Sequence, residues 1–206
     1  MATQKNKVKF NIANAYYALL SQDDSGNVTW GTPVPLPGAV SLSLDPTGEP
    51  ESFYADGVEY YVVNNNQGYD GDLELAMIPE SFRTDVLMEA TDSNNVLVEN
   101  ANSQTGHFAL LFDFDGDVRK IRHVMYNCSA SRPGISSSTN TESKEVKTET
   151  LKIKARPLAN GLVKAKTGDS TKATAYNNWY KRVYQPDAIG GYDDPEDEPT
   201  GDGTEG

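Results

Sequence analysis

The stretch Tyr54–Leu87, YADGVEYYVVNNNQGYDGDLELAMIPESFRTDVL, decides the fold class. It divides into strand, turn, acidic strand and a short helix. From Tyr69 to Ile78 the residues alternate: Leu73, Leu75 and Met77 point one way, and Asp70, Asp72 and Glu74 the other. One face is built for a core. The other carries carboxylates two residues apart, roughly 7 Å at strand rise. Like charges so close need solvent, a cationic partner or a purpose. Pro79 and Glu80 open a helix whose apolar stripe is Phe82, Val86 and Leu87.

Working outward, Gly38–Asp45 is a strand with Val40, Leu42 and Leu44 inward and Ser41, Ser43 and Asp45 outward. Asp45–Ser52 has the Pro and Gly content of a loop, Val58–Asn64 is a strand, and Asn64–Gly68 a turn. His107–Cys128 predicts a hairpin with a type I′ turn at Asp115–Gly116. That register pairs Phe114 with Asp117, Phe112 with Arg119, Leu110 with Ile121 and Phe108 with His123 on an apolar face. The opposite face, with His107, Asp113, Lys120 and Arg122, is left for water or a partner subunit. Ser129–Ser143 is a Ser/Thr-rich loop. Lys144–Arg156 is a strand whose apolar phase changes near Glu149, predicting a bulge, with Lys152, Lys154 and Arg156 on one face. Leu162–Lys166 returns antiparallel after Asn160–Gly161 and adds Lys164 and Lys166 to this basic stripe. Thr174–Tyr184 is a helix burying Trp179 and Val183. The fold class is an antiparallel β-sandwich or barrel with a flanking helix and a short C-terminal helix.

Of the net charge of −12, residues 187–206 hold −8 with no Lys or Arg, leaving −4 for residues 1–186. Three regions follow: a polar arm (1–14), a β-domain (15–186) and an acidic tail (187–206) that is disordered or docks on basic residues of a neighbour. No apolar run is long enough for a membrane helix, and Asn11 and Asn14 interrupt any secretory signal core. The lone Cys128 is a buried thiol. Catalytic signals are missing. Asp113–Val118 (DFDGDV) has Val118 and Val124 where a calcium loop needs Gly and Glu. The two histidines fall on opposite hairpin faces, and neither a nucleophile elbow nor a phosphate-binding glycine loop is present. The expectation is a non-enzyme with no cofactor and no metal. The basic stripe is a solvated face or a subunit interface, because the overall acidity opposes nucleic-acid binding.

The same stretch, with Ser143–Lys166 (SKEVKTETLKIKARPLANGLVKAK) and Ala175–Pro186 (AYNNWYKRVYQP), resembles the major tail proteins, or tail tube proteins, of long non-contractile phages of Gram-positive bacteria. The resemblance covers most of residues 8–186. It implies a structural virion protein, assembled in the host cytoplasm, whose hexameric rings stack into a channel that DNA transits without specific binding. It also implies tape measure, tail terminator and tail-tip proteins as partners. Terminal arms and an extended loop would bridge rings, here residues 1–14 and Asp45–Asp56 with Glu49, Glu51 and Asp56. Asp70, Asp72 and Glu74, with Ser41, Ser43 and Asp45, would line or border the lumen, where six copies give eighteen carboxylates and a negative field; the competing reading is a plain outer face, or pairing with Lys152, Lys154 and Arg156 of a neighbour. The basic stripe Lys152, Lys154, Arg156, Lys164 and Lys166 would lie at a subunit interface. The alternative is a monomeric surface or carbohydrate-binding β-sandwich, which should expose clustered aromatics on one loop face.

Overall fold

The computed structural model describes residues 5–49, 51–63, 65–137 and 146–186. The chain is mainly β, with two short helices. One antiparallel sheet runs in the order β2 (Val28–Trp30), β1 (Lys9–Gln22), β10 (Phe108–Gly116), β11 (Ile121–Ala130), β12 (Glu149–Ala155), β7 (Gly68–Leu75) and β4 (Ala39–Thr47). Two more strands join off this path: β3 (Val34–Pro35) on β1 and β13 (Lys164–Lys166) on β11. Two hairpins stand apart, β5 (Glu51–Ala55) with β6 (Val58–Val63), and β8 (Ala90–Thr91) with β9 (Leu97–Val98). The sheet curls until β1 and β4 approach each other, but no ladder closes it into a barrel among the described residues.

The core occupies both faces of the sheet unequally. Inside the curl lie Tyr17, Leu73, Leu75, Phe108, Leu110, Phe112, Leu151 and Ile153, with Leu42 and Leu44 packed against them. The helix α1 (Glu80–Asp85) adds Phe82, followed by Val86 and Leu87, all fully buried. Phe82 meets Tyr17 and Phe108 edge-on at 5.1 and 5.4 Å. Burial pushes the Tyr17 phenol up to about 12, and its hydroxyl donates to Asp85 at 2.8 Å. Glu149 ties α1 to β12. Its carboxylate accepts from the Ile78 amide at 2.6 Å and from Arg83 at 2.7 Å. Outside the curl, Ala109, Leu111, Val124 and Tyr126 are covered by Leu158, Trp179 and Val183 around α2 (Ala173–Asn177). This cover lies over β1, β10 and β11 and takes in Trp30 of β2 and Ala165 of β13.

Several expectations are corrected. The β10–β11 register pairs Phe112 with His123 and Leu110 with Met125, four positions from the expected one. The loop is long because Asn6, far away in sequence, accepts from the Val118 and Arg119 amides and donates to the Arg119 carbonyl. The second face of this hairpin packs under α2, so Asp113 is fully buried rather than facing water. An Asp-Gly two-residue turn does form, at Asp56–Gly57, where both φ values are positive (52° and 77°). Asp45–Ser52 is mostly strand: β4 runs to Thr47, and β5 starts at Glu51. Gly48 turns the chain with φ 99°, where a Cβ would meet the Asn65 carbonyl.

A register shift after Ala39 turns Val40 outward, and β7 ends at Leu75, leaving Met77 exposed. β12 starts at Glu149 and pairs with β7 without a bulge, which removes the need for one. β13 pairs with β11, not β12. Residues 9–14, read as arm, begin β1. The helix expected over Thr174–Tyr184 is regular only over Ala173–Asn177, with Trp179 and Val183 buried beyond its end. Residues 138–143 of the expected Ser/Thr-rich loop, Lys144 and the acidic tail lie outside the described residues.

Candidate assembly surfaces

Where α2 does not reach, the outer face of β4, β7 and β12 is bare and polar. Register builds it row by row. Glu74 lies between Ser41 and Thr150, Asp72 between Ser43 and Lys152, and Asp70 between Asp45 and Lys154. The carboxylates therefore find their partners in their own chain. Lys152 Nζ is 3.1 Å from Asp72, and Arg156 Nη1 is 2.5 Å from Asp70. Glu74 accepts from Ser41 Oγ at 2.8 Å and Thr148 Oγ1 at 2.6 Å. The hydrogen bond from Arg156, with the nearby charges of Arg156 and Lys154, holds Asp70 below the usual carboxylate range. Thr148 and Ser41 do the same for Glu74. The predicted row is thus brought together with Lys152, Lys154 and Arg156 as one charge-paired surface.

Lys164 and Lys166 are not on it. Their register partners Met125 and His123 stand inside the curl, whereas Lys154 pairs with Ser129 on the opposite face. The five-residue stripe is split because β13 leaves β12 for β11. Inside the mouth of the curl, Lys164 lies over the Tyr69 ring at 4.2 Å and Lys9 over Phe114 at 4.8 Å. His123 stacks on Phe112 at 5.1 Å. Burial, then the charges of Lys166, Lys164 and Lys9, push its pKa down to about 4.

The β5–β6 hairpin carries the predicted bridging residues, with Glu49 in the connection before it, Glu51 opening β5 and Asp56 in its turn. Sequence reasoning missed its main feature. Phe53, Tyr54, Val58, Tyr60 and Tyr61 are all more than half exposed, which soluble surfaces avoid unless something covers them. The signal was the Asp-Gly turn between two β-prone runs.

No family model matches the chain, and no curated protein matches it in sequence. Among solved structures, a chain of the PVC sheath–tube complex, from an extracellular contractile injection system in its extended state, is 11% identical with a TM-score of 0.44. That match covers 75% of this chain and 88% of the other. A chain of the PVC sheath/tube terminator is 9% identical with a TM-score of 0.44, covering 79% and 99%. A chain of the anti-feeding prophage tube-terminating cap is 11% identical with a TM-score of 0.41, covering 82% and 98%. At such scores and identities the likeness transfers no function. The first two come from contractile systems, whereas the sequence resemblance is to non-contractile tails.

Proposed function

We propose that this chain is the structural subunit of a phage-type tail tube, forming hexameric rings that stack into a channel for DNA. The observation that carries the reading is the half-covered sheet: a bare, charge-paired face on β12, β7 and β4, ending at a β4 edge with no partner among the described residues. An open edge beside a finished polar face invites pairing with another copy, and ring closure removes it. Three strands per copy, or four with the end of β11, give about 18 to 24 strands in a ring of six. At about 4.8 Å spacing and a tilt near 40°, opposing backbones stand about 36 to 48 Å apart, wide enough for a nucleic-acid duplex between side chains.

The aromatic hairpin then reaches the next ring. Tape measure, terminator and tail-tip proteins complete the tail, and the protein resides in the virion. Negative-stain microscopy of the purified protein, alone and with a tail-initiation complex, tests this. Rings or tubes with a central channel are expected, and particles that contain the protein but lack such a tube would overturn the reading. A sheath around the tube would move the chain from non-contractile to contractile tails.

The exposed aromatics Phe53, Tyr54, Tyr60 and Tyr61 favour one second reading, a monomeric carbohydrate-binding module. A clean monomer retarded on a polysaccharide matrix supports that reading. Rings that pass the matrix freely support the tube.

A further inference from the structure

The mouth of the curl holds a cleft of about 320 Å³, lined by Lys9, Tyr69, Phe114, His123 and Lys164 together with β4 residues. Its walls set cations on rings. Lys164 lies over Tyr69 and donates to its hydroxyl, and Lys9 lies over Phe114. Lys166 pairs in register with His123. No carboxylate lines the cleft, and no salt bridge to Lys9, Lys164 or Lys166 forms among the described residues. This contrasts with Lys152 and Arg156, which are matched on the outer face. His123, pushed down to about 4, is neutral at pH 7, so the three lysines set the local charge. A cleft of this size takes a few side chains, not a folded partner.

The β5–β6 hairpin has the opposite character. No Lys or Arg stands between Lys9 and Arg83, and the hairpin rises within that stretch. Phe53, Tyr54, Val58, Tyr60 and Tyr61 are each more than half exposed, and Asp56 and Glu59 are exposed beside them. Neither acid forms a salt bridge among the described residues. Register sets Tyr54 opposite Glu59, one rung from the Asp56–Gly57 turn. Residues opposed across a strand pair share a face, so the tip presents a ring and a carboxylate side by side. The cleft presents rings with unmatched ammonium groups, and the tip presents rings with unmatched carboxylates. The hairpin does not fill its own cleft: none of its residues lines those walls, and it forms a separate two-stranded sheet.

We propose that the tip of the β5–β6 hairpin of a second copy docks in this cleft, stacking Tyr54 on its aromatic wall and pairing Asp56 and Glu59 with Lys9, Lys164 and Lys166. Tip and cleft are different parts of one chain, so the contact is head-to-tail and leaves a free tip and a free cleft on each dimer. Contacts of that kind close into rings or continue as stacks. The inference rests on the tube reading for the association of copies, and it names what the exposed hairpin grips. Aromatic side chains seated in a desolvated pocket and ringed by charge pairs are the usual anchors of such interfaces.

The test mixes isotope-labelled and unlabelled full-length protein, joins carboxylates to amines with a zero-length cross-linker, and reads the linked peptides by mass spectrometry. Links from Asp56 or Glu59 to Lys9, Lys164 or Lys166 are expected in mixed-isotope pairs, rising with protein concentration. Rings or tubes that form without these links overturn the inference and leave the tube reading standing. Mixed links in a protein that forms no rings support the inference and count against the tube. Links confined to one isotope and indifferent to concentration overturn it, placing the tip in its own cleft. A protein with neither links nor association overturns both. Charge reversal gives a second readout by light scattering. Lys164→Glu with Lys166→Glu, and separately Asp56→Asn with Glu59→Lys, should each weaken association about hundredfold or more. Asn is used at position 56 because it accepts the φ of 52° found there. All four changes together should restore most of the association, and a quadruple variant no better than either pair overturns the inference. Matched melting curves confirm that the comparison is between folded proteins.

Discussion

Replacing Asp70→Asn together with Asp72→Asn removes the two carboxylates that hold Arg156 and Lys152 while keeping side-chain shape. The fold should tolerate it. The Arg156–Asp70 side chains are each 40% exposed, and those of Lys152–Asp72 are 73% and 49% exposed. Exposed pairs contribute about 0–1 kcal/mol each, so the double change costs below about 2 kcal/mol. At roughly 2–4 °C per kcal/mol for a chain of this size, the melting temperature falls by less than about 8 °C. The effect on DNA should be large by comparison. Lys152, Lys154 and Arg156 become free cations on one bare face. Contact with about three phosphates gives a salt slope near −2.7, or roughly 40-fold weaker binding at 200 mM than at 50 mM salt. Fluorescence anisotropy of a labelled duplex reads the binding, and a thermal melt reads the fold. The reasoning fails if the variant binds DNA no better than the parent at low salt. A melting temperature lowered well beyond that bound would also refute it, by showing the pairs to be structural.

Three further outcomes are expected. His123 has a folded pKa of about 4 against an ordinary 6.5, so the unfolded chain binds its proton first and stability falls as pH drops from 6.5 toward 4, by as much as about 3 kcal/mol. His123→Phe, which keeps the stack on Phe112, should flatten denaturant midpoints across that window, and an unchanged pH dependence would clear His123. Gly71→Ala places a Cβ 1.8 Å from the Ser43 carbonyl oxygen, so β4 must retreat from β7 at a cost of about 1–3 kcal/mol or more; an unaltered melt would contradict so close an approach. Tyr54→Ser, Tyr60→Ser and Tyr61→Ser together should leave the circular dichroism spectrum and melt intact, because the hairpin is separate from the main sheet, while abolishing ring stacking under the microscope. Normal tubes would show the hairpin to be dispensable.

What was legible in the sequence was local. The alternation in Asp70–Leu75, the Pro79 start of α1 and the inward phase of Leu151, Ile153 and Ala155 all form as their periods dictate. What was not legible depended on distant partners. The Asp115–Gly116 turn obeyed a sound local rule but lost to Asn6, which holds the Val118 and Arg119 amides from the other end of the chain. The unbroken apolar run Phe108–Phe112 signals burial on both faces, yet alternation alone leaves α2's role as the second cover unseen. The basic stripe split because strand partnership, not sequence proximity, sets the face of Lys164 and Lys166. Asp70, Asp72 and Glu74 share one face as their alternation dictates, but their pairing needed the β12 register, which no single strand contains.

That register changes how a channel wall of this kind avoids DNA. Counting only Asp70, Asp72 and Glu74, the proposed hexameric ring would carry eighteen carboxylates and a strong negative field. Yet Lys152, Lys154 and Arg156 lie on the same face, two of them directly opposite the acids, so six copies would bring eighteen cations with them. At distances beyond about 8 Å the two sets largely cancel, and salt screens the remainder. A wall built from this face would be neither repulsive nor sticky. DNA binding is driven by cations that replace the counterions of phosphates, and a lysine already held by its own aspartate must abandon that bond to do so. Short Ser41, Ser43 and Thr150 side chains fill the remaining positions with groups that water satisfies as well as DNA does. If this face lines the proposed channel, passage without adhesion would follow from cations spent within each subunit, and any variant that removes their aspartates should convert a passive wall into a binding one.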